Sequence, residues 1–284
     1  MSRSNEMVYN EVRRCIKKYS FHVEIVFRTG YVRARIEQEE DRHSFRFQKP
    51  DGYQYPDLML IRWTIERIID LFGIKRASWI FGEKSDWMTD FIPMIEMTES
   101  VNLRVSTDEI FRFALKKCGK KVGITCENPP NFDIGTLGPF DFEEIILRNC
   151  RWLSRNLLLN SFMNCRRIII QNGSLRPNDI NLFFRKWADE NSPIERFEFS
   201  NYFIRWWHLF GLLEGIRTEP IRDIDVEGVP FDPMEPESSY LAFQRNNTRT
   251  VLVKYKGRIV LSREYQERRV QENGNKENEL PENE

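Results

Sequence analysis

Three short stretches decide the fold: EIILRN at residues 144–149, RIIIQN at 167–172 and RFEFSN at 196–201. Each alternates like a half-buried strand and closes on Asn, and helical sequence follows at least the first two. They begin 23 and 29 residues apart, a recurrence typical of a strand–turn–helix solenoid. Because such solenoids usually present a surface to another macromolecule, the repeat favours binding over catalysis.

The composition predicts a folded chain without a strong charge preference. The 284 residues include 43 basic and 43 acidic side chains, which removes the main sequence argument for a nucleic-acid or anionic-membrane partner. Aromatic residues make up 13%, so a sizeable core is expected and a wholly disordered chain is excluded. No C-x-x-C pair occurs among the five cysteines, so reduced and mostly buried thiols are expected: Cys15, Cys118, Cys126, Cys150 and Cys165.

The sequence contains neither a membrane-spanning pattern nor a secretory one. Its first 15 residues lack an apolar segment, and no stretch approaches 18 uninterrupted apolar residues. These observations predict an intracellular protein, cytoplasmic or nuclear, with no membrane partner.

Changes in periodicity divide the chain into five parts. Residues 1–20 contain an amphipathic helix at 8–19, and alternating strands at 22–27, 31–37 and 43–48 form a small antiparallel meander over 21–48. A β–α array follows over about 57–228, then a second meander at 240–263 that could cap the array. Residues 21–265 together form the predicted main domain. Residues 266–284 are a polar tail that we expect to be disordered.

The array itself is predicted from alternating helix and strand patterns. An apolar stripe marks a helix from Leu58 to Phe72 that Gly73 can end, and further helices are predicted at 86–95, at 108–118, after Ser154 and from Pro177. Strands are predicted at 78–81, 101–105 and 122–126, and one further strand at 221–226. The fold class is therefore α/β: a leucine-rich-repeat-like curved array of strand–turn–helix units with a small antiparallel β meander at each end.

No pattern of catalytic or metal-binding residues stands out. The histidines His22, His43 and His208 have no second ligand at metal-binding spacing, and nucleophile-elbow, zincin and Walker motifs do not occur. The acidic pairs Glu143–Glu144 and Asp223/Asp225 fit a solvent face better than acid–base work. We therefore predict a protein that is not an enzyme, with no cofactor and no metal. The alternative is an α/β enzyme with an unrecognised active site, around His208 or Asp223.

Three other groups of residues keep two interpretations. The aromatic cluster at 202–210 (Tyr202, Phe203, Trp206, Trp207 and Phe210) is either core, which is favoured, or an exposed binding site. The strand-end residues Asn149, Asn172 and Asn201 either stabilise turns, which is favoured, or form part of a binding site. Five arginines could favour RNA if they shared one face, although a solvated or salt-bridged face is favoured: Arg148, Arg151, Arg155, Arg166 and Arg167.

Several stretches resemble a known family. The segment from Phe142 to Ser200, with NCRWLS and NCRRIIIQNGSLRPNDINLFFRKWADENSPIERFEFS, is similar to the type 2 F-box-associated domain expanded in nematodes. The phrase LEGIRTEP at 213–220 and the closing meander, from LAFQRNN at 241–247 through Val260, fit the same pattern. The basic helix before YSFHVEI at 19–25 resembles the sequence that follows the F-box in those proteins.

The resemblance implies the role of a substrate receptor. In that family the F-box binds the Skp1 adaptor of a cullin-RING ubiquitin ligase, and the associated domain holds a protein target. Residues 1–20 contain no Leu-Pro dipeptide and are too short for an F-box. Skp1 and cullin are therefore expected partners only of a longer form that carries one, whereas a protein target remains the expected partner. No binding residue is predicted.

Overall fold

The structure is a computed structural model of the chain. It describes residues 21–28, 31–38, 41–48, 58–81, 100–105, 108–117, 120–126, 133–201, 209–221, 224–227, 239–255 and 257–267, with a few isolated positions. The predicted helices at 8–19 and 86–95 lie largely outside these residues, as do residues 268–284 of the predicted tail.

The described strands follow the predicted alternation closely. In chain order they are β1 His22–Arg28, β2 Tyr31–Gln38, β3 Asp41–Gln48, β4 Arg76–Phe81, β5 Ser100–Val105, β6 Lys121–Cys126, β7 Glu144–Arg148, β8 Arg167–Gln171, β9 Arg196–Ser200, β10 Thr218–Ile221, β11 Ile224–Val226, β12 Ser239–Phe243, β13 Arg249–Tyr255, β14 Arg258–Ser262 and β15 Tyr265–Glu267. Each strand of the two predicted meanders is confirmed.

The helices begin and end for the expected local reasons. They are α1 Leu58–Phe72, α2 Asp108–Lys117, α3 Arg155–Ser161, α4 Pro177–Asp189 and α5 Leu209–Leu212, with a 3₁₀ helix at Ile134–Leu137. Gly73 follows α1 at φ 58°, a left-handed conformation that glycine adopts without a Cβ clash. The Ser154 hydroxyl accepts from the Leu157 N–H at 3.2 Å and caps α3.

Thirteen of these strands form one mixed sheet, in the order β10-β12-β13-β14-β9-β8-β7-β6-β5-β4-β1-β2-β3. From β9 to β1, neighbouring strands are parallel. The two meanders extend this parallel centre on either side with antiparallel strands. The predicted α/β class is thus confirmed, and the strands form one large mixed sheet.

The main core lies on one face of this sheet. Inward side chains align in register from strand to strand, as in Ile145–Ile168–Phe197 and Leu147–Ile170–Phe199, and all six are fully buried. All five described helices contribute buried residues to the same cluster, among them Ile65, Phe111, Leu158, Phe183 and Leu209. The described helices therefore cover a single face of the sheet.

A second apolar cluster lies on the opposite face, under the antiparallel strands β12–β14. It contains Val226, Leu241, Phe243, Val251, Val253, Tyr255 and Val260. The strands β11 and β15 form a two-stranded antiparallel ribbon, and Val226 and Tyr265 of that ribbon pack against the cluster. At this end of the sheet, both faces are covered.

The C-terminal meander is joined to the array by a buried polar network. The Gln244 amide donates to the Trp187 and Ser192 carbonyls at 3.0 Å each, and its oxygen accepts from Arg263 at 2.7 Å. Burial lowers the pKa of Arg263. Because the buried Gln244 amide finds its donors and acceptors in both parts, the network fixes how β12–β14 sit on the end of α4.

Two sequence predictions need correction. The stretch 221–226 does not add a parallel strand to the array: β10 pairs antiparallel with β12, and β11 pairs with β15, so β9 is the last parallel strand. The first meander continues the same sheet as the array, because β1 pairs in parallel with β4. The predicted tail begins later than residue 266, since β15 runs to Glu267.

Candidate interaction surface

The sheet face opposite the helices presents three rows of side chains, which we call the outward face. Strand registers place the N-terminal row at Arg76, Ser100, Lys121, Glu144, Arg167 and Arg196. The central row is Ser78, Asn102, Gly123, Ile146, Ile169 and Glu198. The C-terminal row is Ile80, Arg104, Thr125, Arg148, Gln171 and Ser200, and the neighbouring Arg258 of β14 extends it. Most of these side chains are partly or fully exposed.

Several basic side chains of the N-terminal row form ion pairs with carboxylates. Arg167 pairs with Glu264 at 2.6 Å, and Arg196 pairs with Glu198. Lys121 lies 4.0 Å from Glu143. Although burial works against it, the hydrogen bond to Glu264 raises the pKa of Arg167. Most of this row's charge is therefore balanced within the chain.

Arg148 has a different environment in the C-terminal row. Its Nη1 lies 3.3 Å from the Asn102 side-chain oxygen, and the two residues belong to strands on either side of β6. Gly123 of β6 makes this contact possible, since a Cβ there would lie 2.0 Å from that oxygen and 3.0 Å from Nη1. Because Gly123 has no side chain, the Asn102 side chain of β5 and the Arg148 side chain of β7 can meet across β6.

The Arg148 guanidinium is held in place and still charged. Burial lowers its pKa from the ordinary arginine value, while the charge of Glu144 raises it. An arginine remains protonated under such conditions. Its hydrogen-bond acceptor is a neutral amide, and it forms no ion pair among the described residues. Donors of the guanidinium fork remain for a ligand.

The turns at the strand ends are formed by asparagine, as the sequence predicted. Asn149 and Asn172 adopt φ 54° and 57°, the left-handed region that asparagine tolerates best after glycine. The Asn172 amide donates to the Asn149 side-chain oxygen at 3.0 Å, and the Asn201 amide donates to the Gly173 carbonyl at 2.7 Å. The structural interpretation of these residues is therefore confirmed.

The five arginines considered as an RNA-binding face lie in different places. Arg148 and Arg167 lie on the outward face, whereas Arg151 and Arg155 follow β7 and Arg166 precedes β8. Arg166 pairs with Glu195 at 2.7 Å, and Arg155 lies 3.9 Å from Asp179. The five do not form one basic face, and the salt-bridged interpretation is confirmed for Arg166 and Arg167.

Sequence reasoning missed a second exposed feature, on α1. Met59, Leu60 and Trp63 are 78%, 51% and 52% exposed, and the Arg67 guanidinium lies 5.6 Å from the Trp63 ring. The signal was present in the first turn of α1, where LMLIRW is apolar nearly all round the helix. The buried stripe of Ile61 and Ile65 accounts for only one side of that turn.

A shallow cavity of about 400 Å³ lies between the N-termini of α3 and α4. Ser154 caps α3, and the Asp179 carboxylate accepts from the Arg176 N–H at 2.9 Å at the start of α4. Ser174 donates to the Arg151 carbonyl at 2.7 Å. Because helix and turn formation engages these polar groups, the cavity is weaker as a binding site than the outward face.

The segment from the 3₁₀ helix to β9 carries the middle of the outward face. Residues 134–199 match the model of the F-box associated family. Over these residues the match supports the resemblance drawn from the sequence, and in general that family consists of interaction domains that are not enzymes. The matched segment contains β7, β8 and β9 with α3 and α4 between them. No curated protein and no solved structure was found to match the chain.

The matched segment contains some of the candidate chemical groups, and the others lie elsewhere. Glu143 faces Lys121. Burial lowers the pKa of Arg148, and the nearby charge of Glu144 partly opposes this, so both carboxylates are charge partners. His22 lies at the start of β1. Outside the described side chains are those of His43, His208, Asp223 and Asp225, together with the aromatic cluster at 202–210.

The described cysteines are buried free thiols, as predicted: Cys126, Cys150 and Cys165. Burial raises the pKa of Cys150 and of Cys165 to about 12, so both are protonated near neutral pH. Within the described part of the chain, no three His, Cys, Asp or Glu side chains are grouped to hold a metal ion. None of the described helices has the length and apolar character needed to cross a membrane.

Proposed function

We propose that this protein is a non-catalytic interaction domain that holds a protein target on its outward face. The observation that carries the proposal is the one-sided cover of the parallel sheet: the described helices pack on one face, and polar side chains remain accessible on the other. The F-box associated match over 134–199 supports a role among F-box proteins, and its three strands contribute to the centre of that face.

In this proposal the domain is the target-binding part of a substrate receptor for a Skp1–cullin–F-box ubiquitin ligase. Skp1 would be recruited only by a longer form that carries an F-box. A form without one would hold the target away from the ligase and compete with the receptor. Both forms act inside the cell, in the cytoplasm or the nucleus.

The shape proposed for the binding domain is a curved array like that of leucine-rich-repeat proteins. Parallel strands line one side of such an array and helices the other, and the strand side offers an extended surface for a partner. We propose that residues 21–265 act as this unit, with the two meanders closing its ends and the polar tail outside it.

Site-specific photo-crosslinking tests the proposal directly. A photoreactive amino acid replaces Gln171, which is exposed in the C-terminal row, and in a control replaces Asn178, which is exposed on the helix side. The tagged protein is expressed in cells, irradiated and purified, and crosslinked proteins are quantified by mass spectrometry. We expect a specific protein to be enriched at position 171 over position 178.

Equal capture at both positions, or capture at neither, would contradict the proposed use of the outward face. The ligase part has its own measurement, because Skp1 should co-purify with a form that includes an upstream F-box and not with residues 1–284. Failure of Skp1 to bind the longer form would remove the ligase role.

A further inference from the structure

The C-terminal row of the outward face is basic and contains no acidic residue. Its positions from β5 to β14 are Arg104, Thr125, Arg148, Gln171, Ser200 and Arg258. Three guanidinium groups thus alternate with shorter side chains that can donate or accept hydrogen bonds. The chain as a whole has equal numbers of basic and acidic residues, whereas the residues of this row are all basic or neutral.

The two ends of the same strands differ in how their charge is balanced. At the N-terminal row, Glu264 and Glu198 pair with Arg167 and Arg196. At the C-terminal row, Arg148 is oriented by Asn102, a neutral amide, over the bare backbone of Gly123. A guanidinium held by a neutral group keeps its full charge for an incoming anion.

The dimensions of the row fit an extended peptide. Arg104 to Arg258 spans six neighbouring strands, roughly 24 Å at the usual strand spacing. An extended chain of about 7 residues covers this distance. Beside the row, Ile146 and Ile169 of the central row present partly exposed aliphatic surface, which suits aliphatic side chains between the acidic ones.

We infer that the C-terminal row binds an acidic, extended segment of the protein target, whose carboxylates pair with Arg148 and Arg258. This inference rests on the proposed function and names the chemistry of the partner. Arg148 is the central contact because its fork is already oriented, so less side-chain entropy is lost when a carboxylate binds.

The outward face is less suited to a nucleic acid. Proteins that bind single strands stack the bases on aromatic rings. The outward positions of β4–β9 within the described residues include no aromatic side chain. The carboxylates that neutralise the N-terminal row would also repel a phosphate backbone. A carboxylate-bearing protein segment therefore fits the face better than RNA.

Fluorescence anisotropy with a defined probe tests the inference. The probe is a fluorescein-labelled peptide of about 10 residues that alternates Asp or Glu with Leu and Gly, and its control replaces the acids with Asn and Gln. We expect the full chain to bind the acidic probe, to bind it more weakly at higher salt, and to bind the neutral control poorly. Arg148→Gln should weaken binding by about tenfold.

Two further variants separate local geometry from general charge. Gly123→Ala should also weaken binding, because the new methyl group displaces Asn102 and with it the Arg148 fork. Arg166→Gln is the matched control, since it removes an exposed arginine outside the row and should leave binding unchanged. Circular dichroism and thermal unfolding of each variant check that the fold is retained.

The inference is wrong if the acidic and neutral probes bind alike, if neither binds, or if Arg148→Gln and Arg166→Gln have equal effects. It is also wrong if a fluorescein-labelled oligouridine binds more tightly than the acidic peptide, because the row would then be a nucleic-acid site. The crosslinking experiment distinguishes this inference from the proposed function. If a protein is captured at position 171 but the acidic peptide does not displace it, the protein still binds a target on this face, and only the acidic character of that target is refuted.

Discussion

The parallel and antiparallel parts of the sheet differ on the face that points away from the helices. On β12–β14 this face is apolar, and the ribbon of β11 and β15 covers it. On β5–β9 the same face is polar and partly exposed. The central row changes from Ile146 and Ile169 through Glu198 to Val260 and Val253 within one sheet. The chain therefore covers its own sheet where the surface is apolar and leaves it accessible where the surface can bind a charged partner.

The largest effect on stability should come from replacing a buried residue of β8 by alanine, compared with its exposed neighbour. Ile168 points into the helix-covered core and is fully buried, whereas Ile169 points outward and is partly exposed. Ile168→Ala should lower the free energy of unfolding by about 2–5 kcal/mol, through lost burial and the cavity left behind. Ile169→Ala is the matched control and should cost less than half as much.

Urea unfolding followed by circular dichroism measures both variants. Equal losses would mean that the outward face of β8 is as well packed as the core, and the contrast between the two faces would disappear.

A smaller effect on stability should come from replacing Val by Thr under the ribbon and Thr by Val on the accessible part of the outward face. Val253 is 1% exposed under the ribbon, so Val253→Thr buries a hydroxyl among apolar side chains and should cost about 1–3 kcal/mol. Thr125→Val, on the accessible part, should change stability by no more than about 0.5 kcal/mol. Thermal unfolding of the pair decides the point, and a neutral Val253→Thr would show that the ribbon does not exclude water.

Local patterns predicted the elements of this fold well because their causes are local. The apolar stripe of α1, the Ser154 cap and the proline at the start of α4 depend on residues within one or two turns. The Asn-closed strands were recognised for the same reason, since Asn149 and Asn172 each adopt the left-handed backbone conformation at their own positions.

Pairing between distant strands was not predictable in the same way. The alternation at 221–226 correctly indicates strands. It does not indicate that their pairing partners are β12 and β15 instead of β9. The Asn102–Arg148 contact joins residues 46 positions apart and depends on Gly123 between them, so only the register of three strands brings it together. The candidate surface is a product of register, which one sequence does not reveal.

The strand-end asparagines should contribute less than the buried residues. Asn172 has φ 57° and donates to Asn149, so Asn172→Ala loses a hydrogen bond and places alanine in the left-handed region. We expect a loss of about 1–2 kcal/mol in the free energy of unfolding. Asn172→Gly keeps the conformation and loses only the side-chain bond, so it should be less destabilising than alanine. If glycine is the worse substitution in urea unfolding, the backbone argument is wrong.

The smallest effect should come from the ion pair that joins β8 to the segment after β14. Arg167 donates to Glu264, and this hydrogen bond holds the pKa of Glu264 below its ordinary value. A carboxylate with a depressed folded pKa stabilises the fold above its unfolded pKa, and this contribution is lost as the pH falls through the folded pKa. Because the pair is largely exposed, Glu264→Gln should cost less than about 1 kcal/mol at neutral pH. Urea unfolding of both proteins from neutral to acidic pH should show their difference shrink as the pH falls. A difference that grows in acid would mean that the pair does not link the parallel and antiparallel parts of the sheet in this way.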